Sequence, residues 1–222
     1  MEEAQFAELI AELRDDADQA TWFVGFLQSV VNDHDMIDGK LAGSGAGIVA
    51  FATQSAAKQS LILYCARAWD PAGDAISLRI ATEHLPPLDS IILRKYDRLE
   101  MPVPEDRDAV LDESYAQFMQ DYRKVEVNDF HPTFRVMRTE YFAHRVLLSH
   151  DRKKVERQGI LIRDATIDDL LDLSVATINL VGQLGYLWDQ QANAYGDRLK
   201  RATAYSQEYW RLLPVFREVE NL

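Results

Sequence analysis

The stretch that decides the fold is Thr166-Ile167-Asp168-Asp169-Leu170-Leu171-Asp172-Leu173-Ser174-Val175-Ala176-Thr177-Ile178-Asn179-Leu180-Val181-Gly182-Gln183-Leu184-Gly185-Tyr186-Leu187-Trp188-Asp189-Gln190. Leu170, Leu173, Leu180, Leu184, Leu187 and Trp188 recur at three- and four-residue steps, the period of a helix with one apolar face. Thr166 followed three residues later by Asp169 resembles a capping box, in which a hydroxyl and a carboxylate satisfy the first free backbone N–H groups. The spacing predicts a helix to about Gln190.

The same period extends outward on both sides. From about Glu3 to Val31 the apolar positions are Phe6, Leu9, Ile10, Leu13, Trp22, Phe23, Phe26, Leu27, Val30 and Val31, and Asp15-Asp16-Ala17-Asp18 offers a break between two halves. Residues 39–47 read as a small-residue loop. Ser44 or a neighbour then caps a helix to about Trp69, with Ile48, Phe51, Ser55, Ile62, Leu63, Ala66 and Trp69 toward the core. Asp70-Pro71-Ala72-Gly73-Asp74 stops it. Short helices follow from Ser77 to His84 and from Leu88 to Leu99, set off by Pro86-Pro87 and by Pro102 and Pro104. A longer one runs from Glu105 to Val125. His131-Pro132 opens another that reaches Ser149, with proline in the first turn, where no N–H is needed. Gln158 to Ile162 forms a short apolar strap, and the last helix spans Gly196 to Asn221 with a bend at Pro214. Prolines and glycines number only 7 and 10 in 222 residues, and no linker or internal repeat divides the chain. The expectation is all-α: one domain over residues 1–222, a bundle of long antiparallel helices with short connecting helices.

Composition narrows the function. The net charge of −12 argues against a surface that is basic throughout, as a general nucleic-acid or anionic-membrane binder would be. The single cysteine, Cys65, excludes an intramolecular disulfide and a cysteine-built zinc site. Neither a signal peptide nor an apolar run of about 18 residues is visible, so a cytoplasmic protein without a membrane span is expected. Charge is uneven, however. Between Arg123 and Arg163 there are ten Lys and Arg against five acids, a local +5, while the rest of the chain carries −17. Such a strip is either a solvated, salt-bridged face or a docking place for a localised anion.

Within the strip lies Phe134-Arg135-Val136-Met137-Arg138-Thr139-Glu140-Tyr141-Phe142-Ala143-His144-Arg145. Arg138 is a permanent cation whose planar fork fits phosphate oxygens. His144 carries an imidazole, a group whose reference pKa of about 6.5 lets it give or take a proton at cellular pH. Cleavage of RNA by its own 2′-hydroxyl needs both functions and no metal: proton transfer, and a cation against the charge on the phosphorane. On a straight helix six residues turn through about 240°, so Arg138 and His144 do not share a face. Arg138 instead lines up with Arg145, and His144 with Glu140 and Tyr141. A long side chain, a bend or a second subunit must unite the pair, and a two-fold dimer would add a second histidine. Thr139, Tyr141, Arg145, His150, Arg152 and Lys153 are the candidate substrate contacts around it.

Arg138, five residues, then His144 in a helical bundle resembles the motif of the HEPN superfamily (higher eukaryotes and prokaryotes nucleotide-binding). Many of its members are metal-independent ribonucleases of toxin–antitoxin and phage-defence systems. The string from Arg138 to Arg145 is most similar to the abortive-infection AbiU-like branch, as are Ala66-Arg67-Ala68-Trp69-Asp70 and Ser77-Leu78. The resemblance covers about residues 20–190. It implies a HEPN-like fold, a homodimer with Arg138 and His144 in its cleft, RNA as substrate, no cofactor, and an antitoxin protein as a further partner. Family members typically carry Asn, Asp or His after the motif arginine, where this chain has Thr139. That residue keeps open a second function, a non-catalytic module that binds RNA, a nucleotide or a protein. Other patterns carry less. Gly43 to Gly47 lacks the spacing of a phosphate loop. Glu140 and His144 are one turn apart without the further ligands a metal needs. Ser149-His150-Asp151 is contiguous, unlike a hydrolytic triad.

Overall fold

The computed structural model describes residues 1–41, 44–72, 75–104, 108–139, 157, 164–191 and 194–213. These form nine helices and no strand: α1 (Glu3–Asn32), α2 (His34–Leu41), α3 (Gly45–Ala68), α4 (Leu78–Glu83), α5 (Leu88–Arg98), α6 (Ala109–Glu126), α7 (His131–Arg138), α8 (Ile167–Asp189) and α9 (Tyr195–Leu212). The all-α expectation holds.

The caps behave as local chemistry requires. Ser44 Oγ accepts from the Gly47 N–H, Ser77 Oγ from Ile80, and Thr166 and Asp169 form the reciprocal box at the head of α8. A fourth cap is Asp108, whose carboxylate accepts the Leu111 N–H while also holding Lys95 and Tyr96.

The long helices alternate in direction. Arg67 near the end of α3 meets Asp16 in the first half of α1, and Phe6 at the start of α1 packs edge-on against Trp188 at the end of α8 (4.7 Å between ring centres). The last helix, α9, returns parallel to α1, with Arg198 beside Asp18, Tyr205 over Trp22 and Trp210 donating to Ser29. At the centre stands α8, packed on α1, α3 and α6. Its six sequence-identified apolar residues are all buried. This helix is long and apolar enough to cross a membrane, but 67% of that apolar window is buried by its neighbours, which accounts for the hydropathy.

Four expectations need correction. First, α1 runs unbroken through Asp15 to Asp18, because Arg67 and Arg198 neutralise Asp16 and Asp18 from other helices and Ala17 is fully buried between them. Second, part of the expected loop is α2, whose Ile37 and Leu41 pack with Val30, Ala50 and Trp210 in a small second cluster. Third, Ile48 and Phe51 at the head of α3 are 73% and 71% exposed, and Leu63 is exposed too; of that stripe Ile62 and Ala66 are buried and Trp69 packs on the core. Fourth, α9 ends at Leu212, and Leu213 is extended (φ −60°, ψ 133°), the conformation a following proline imposes; the rest of the expected helix, residues 214–221, lies outside the described residues. The strap at 158–162 and residues 140–149 of the motif helix lie outside the described residues.

Candidate functional site

The described part of the motif helix, α7, begins with Pro132 in its first turn and buries Thr133, Phe134 and Val136 as it packs on α3. That packing carries Arg135 and Arg138 to the end of α3, where Trp69 and Asp70 leave the helix. Trp69 is fixed on three sides. Its indole N–H donates to Thr177 Oγ1 on α8 (3.0 Å), Tyr122 of α6 stacks on it (5.6 Å), and the His131 ring tilts against it (4.6 Å).

Asp70 is the acid that meets Arg138. Its Oδ2 accepts from Arg138 Nη1 at 2.9 Å, and its Oδ1 accepts the Ala72 N–H at 3.1 Å. Burial alone would push the Asp70 carboxyl up. The Arg138 and Ala72 hydrogen bonds and the charges of Arg138 and Arg135 together outweigh it and hold the carboxyl below its ordinary value. Asp70 is therefore ionised at cellular pH. The pair is not sealed: side-chain exposure is 30% for Arg138 and 22% for Asp70. Thr139 donates its hydroxyl to the Arg135 carbonyl (3.3 Å), one turn back along the backbone.

Of the sequence-identified residues, Arg138 and Thr139 are therefore placed together at the α3–α7 junction. His144, Tyr141, Arg145, His150, Arg152 and Lys153 lie outside the described residues. Sequence reasoning missed Asp70 as a partner, reading it only as part of a helix stop, although it ends the Ala66-to-Asp70 string. Arg135 and the Trp69–His131 contact were missed as well, and nothing in local spacing announces either.

Other chemistry is absent from the described residues. No three His, Cys, Asp or Glu side chains converge as metal ligands. Burial pushes the Cys65 thiol up to about 12, so it stays protonated and is a packing residue rather than a nucleophile. A hollow of about 750 Å³ beside α6 and α8 is lined by Gln117, Asp121, Asn179 and Gln183 and includes none of Asp70, Arg135 and Arg138.

His131 supplies a pH-dependent term. Its Nε2 lies 2.6 Å from the Val125 carbonyl oxygen, which can only accept, so Nε2 holds the proton. Nδ1 is out of reach of solvent and has no partner. Burial therefore lowers the pKa of the ring, against smaller opposing effects of the Val125 bond and Glu126. Folding favours the neutral ring, so the contribution is complete above the unfolded pKa of about 6.5 and is lost as pH falls from there through the lower folded value. The melting temperature is expected to decline as pH is lowered below about 6.5, before the carboxylates titrate. His131→Phe should lower stability at neutral pH yet flatten that decline; an unchanged slope would rule out this role.

The family model described as AbiU2, of the HEPN group, matches residues 3–211. No curated protein and no solved structure matches the chain.

Proposed function

The chain belongs to the AbiU2 family of HEPN proteins, and on that premise we propose that it is a metal-independent endoribonuclease of phage defence or of a toxin–antitoxin pair, working in the cytoplasm as a homodimer. The observation that carries this reading is a partly exposed Arg138, held by Asp70 at 2.9 Å inside a family motif whose other member is His144. In the reaction the 2′-oxygen bonds to phosphorus as its proton leaves, and the 5′-oxygen departs with a proton, giving a 2′,3′-cyclic phosphate and a 5′-hydroxyl. His144 is the group that exchanges these protons, and Arg138 stabilises the charge on the phosphorane. Thr139, Tyr141, Arg145, His150, Arg152 and Lys153 are the proposed RNA contacts, and an antitoxin protein is the proposed restraint on the activity.

The test is incubation of total RNA and tRNA with wild-type protein and with His144→Ala, purified side by side and assayed with a chelator present. Cleavage by the wild type alone, leaving cyclic phosphate ends, is expected. Identical RNA profiles for the two proteins would remove the nuclease reading. Salt-sensitive RNA binding without cleavage would favour the second reading, a binding module, which the Thr139 position supports.

A further inference from the structure

We infer that Arg135, Arg138 and Asp70 form a subsite for one RNA phosphate, in which Arg135 is a second phosphate contact and Asp70 is a positioning residue. This inference rests on the RNA reading above and names a gripping residue that the Arg138–His144 motif does not contain.

Four observations lead there. Arg135 and Arg138 are one turn apart at the end of α7, so their side chains leave the helix on neighbouring tracks. Arg135 as well as Arg138 acts electrostatically on Asp70, so the charges of these three residues sum to +1. A phosphodiester carries one negative charge and would balance it. Asp70, moreover, takes up Arg138 through Nη1 alone. A guanidinium has a second donor edge, Nε with Nη2, and its two parallel N–H bonds match two phosphate oxygens. Because the Ala72 N–H pins the Asp70 carboxylate, the carboxylate fixes the direction in which that edge points. Finally, Arg135 Nε is out of reach of solvent and has no acceptor, whereas the side chain as a whole is half-buried, so the terminal nitrogens of its guanidinium are the part left to meet a phosphate beside Arg138.

The experiment is fluorescence anisotropy of a labelled single-stranded RNA against the full-length chain in a His144→Ala background, between about 50 and 200 mM salt, with circular dichroism confirming that each variant is folded. Each phosphate contact on a single strand contributes about 0.7 to the slope of log affinity against log salt. Arg135→Gln is expected to weaken binding and to reduce the slope by about 0.7. Arg135→Lys should restore the slope while recovering only part of the affinity, since it keeps the charge but not the fork. Asp70→Asn, which keeps the shape but loses the charge that holds Arg138, should weaken binding without a change in slope, since the fork loses its orientation while no phosphate contact is removed. RNA binding that needs Arg138 but keeps its affinity and slope in Arg135→Gln would overturn the subsite and leave the nuclease reading standing. An absence of RNA binding and cleavage by the wild type would overturn both.

Discussion

Replacing Arg138 by lysine is expected to lower single-turnover RNA cleavage about a hundredfold or more, the usual cost of losing one preorganised donor to a developing oxyanion, while leaving the fold intact. Charge is conserved in this exchange, so the prediction isolates geometry. Asp70 already claims one nitrogen of Arg138, at 2.9 Å, and its carboxylate is tied in turn to the Ala72 N–H. A guanidinium can serve that carboxylate and still offer a second edge to phosphate. A lysine ammonium is a single point of charge on a flexible stem. Directed at Asp70, it keeps the ion pair and leaves the phosphate without its fork; directed at the phosphate, it strands an ionised, partly buried Asp70. In the first arrangement the melting temperature stays near wild type and the rate falls, which is the expected result. Cleavage by Arg138→Lys at close to the wild-type rate would mean that charge alone suffices and that the Asp70 contact has no part in orienting it.

That Asp70 matters at all could not be read along the chain. The Asp70–Arg138 contact spans 68 residues of sequence, and the same aspartate sits in a run of turn formers that accounts for it without any partner. What was legible was whatever neighbours decide. The α8 stripe and the Ser44, Ser77 and Thr166 caps depend on residues three or four positions away, and they stand where the pattern put them. Failures occurred where distant helices intervene. Asp15 to Asp18 would break an isolated helix, but Arg67 and Arg198 arrive from α3 and α9. The α2 segment has only Ile37 and Leu41 as buried anchors and contains Gly39, so it reads as loop; Lys40 clamps it by donating to the carbonyls of Trp210, Arg211 and Leu213 at the end of α9. Ile48 and Phe51 obey the helical period of α3, but a period identifies a face and not the presence of a neighbour. The candidate site divides in the same way. Arg138 and His144 form a local string that spacing alone can single out, whereas Asp70 and Arg135 acquire meaning only when α7 is laid against the end of α3.

The close approach of α1 and α9 yields the largest expected effect on stability. A Cβ built on Gly25 would lie 2.5 Å from Ala202 Cβ, 2.8 Å from the Thr203 nitrogen and 2.9 Å from the Ala202 carbonyl carbon. Two of these three atoms are backbone, so the obstruction cannot be relieved by a rotamer change. Even a methyl group forces the helix axes apart. Separation also disturbs contacts on either side of Gly25: the Trp210 indole on Ser29 (3.1 Å), Thr203 on Gln28 (3.2 Å), and Tyr205 stacked on Trp22 (6.5 Å). Overpacking of a core commonly costs about 1–3 kcal/mol, and with rigid backbone as the obstacle Gly25→Ala belongs at the upper end, about 3 kcal/mol. For a chain of this size that is a fall of about 6–12 °C in melting temperature. Gly25→Val adds two more carbons to the same gap and is expected to leave little folded protein. Gly39 in α2 is the matched control, since nothing lies within 4 Å of its added Cβ. There the exchange to alanine removes only the entropic penalty of a helical glycine and should stabilise by about 0.5–1 kcal/mol. Opposite signs at the two glycines are the expected outcome of thermal melts. A Gly25→Ala protein that melts with the wild type would show that α1 and α9 do not pack this closely, and the parallel return of α9 along α1 would have to be redrawn.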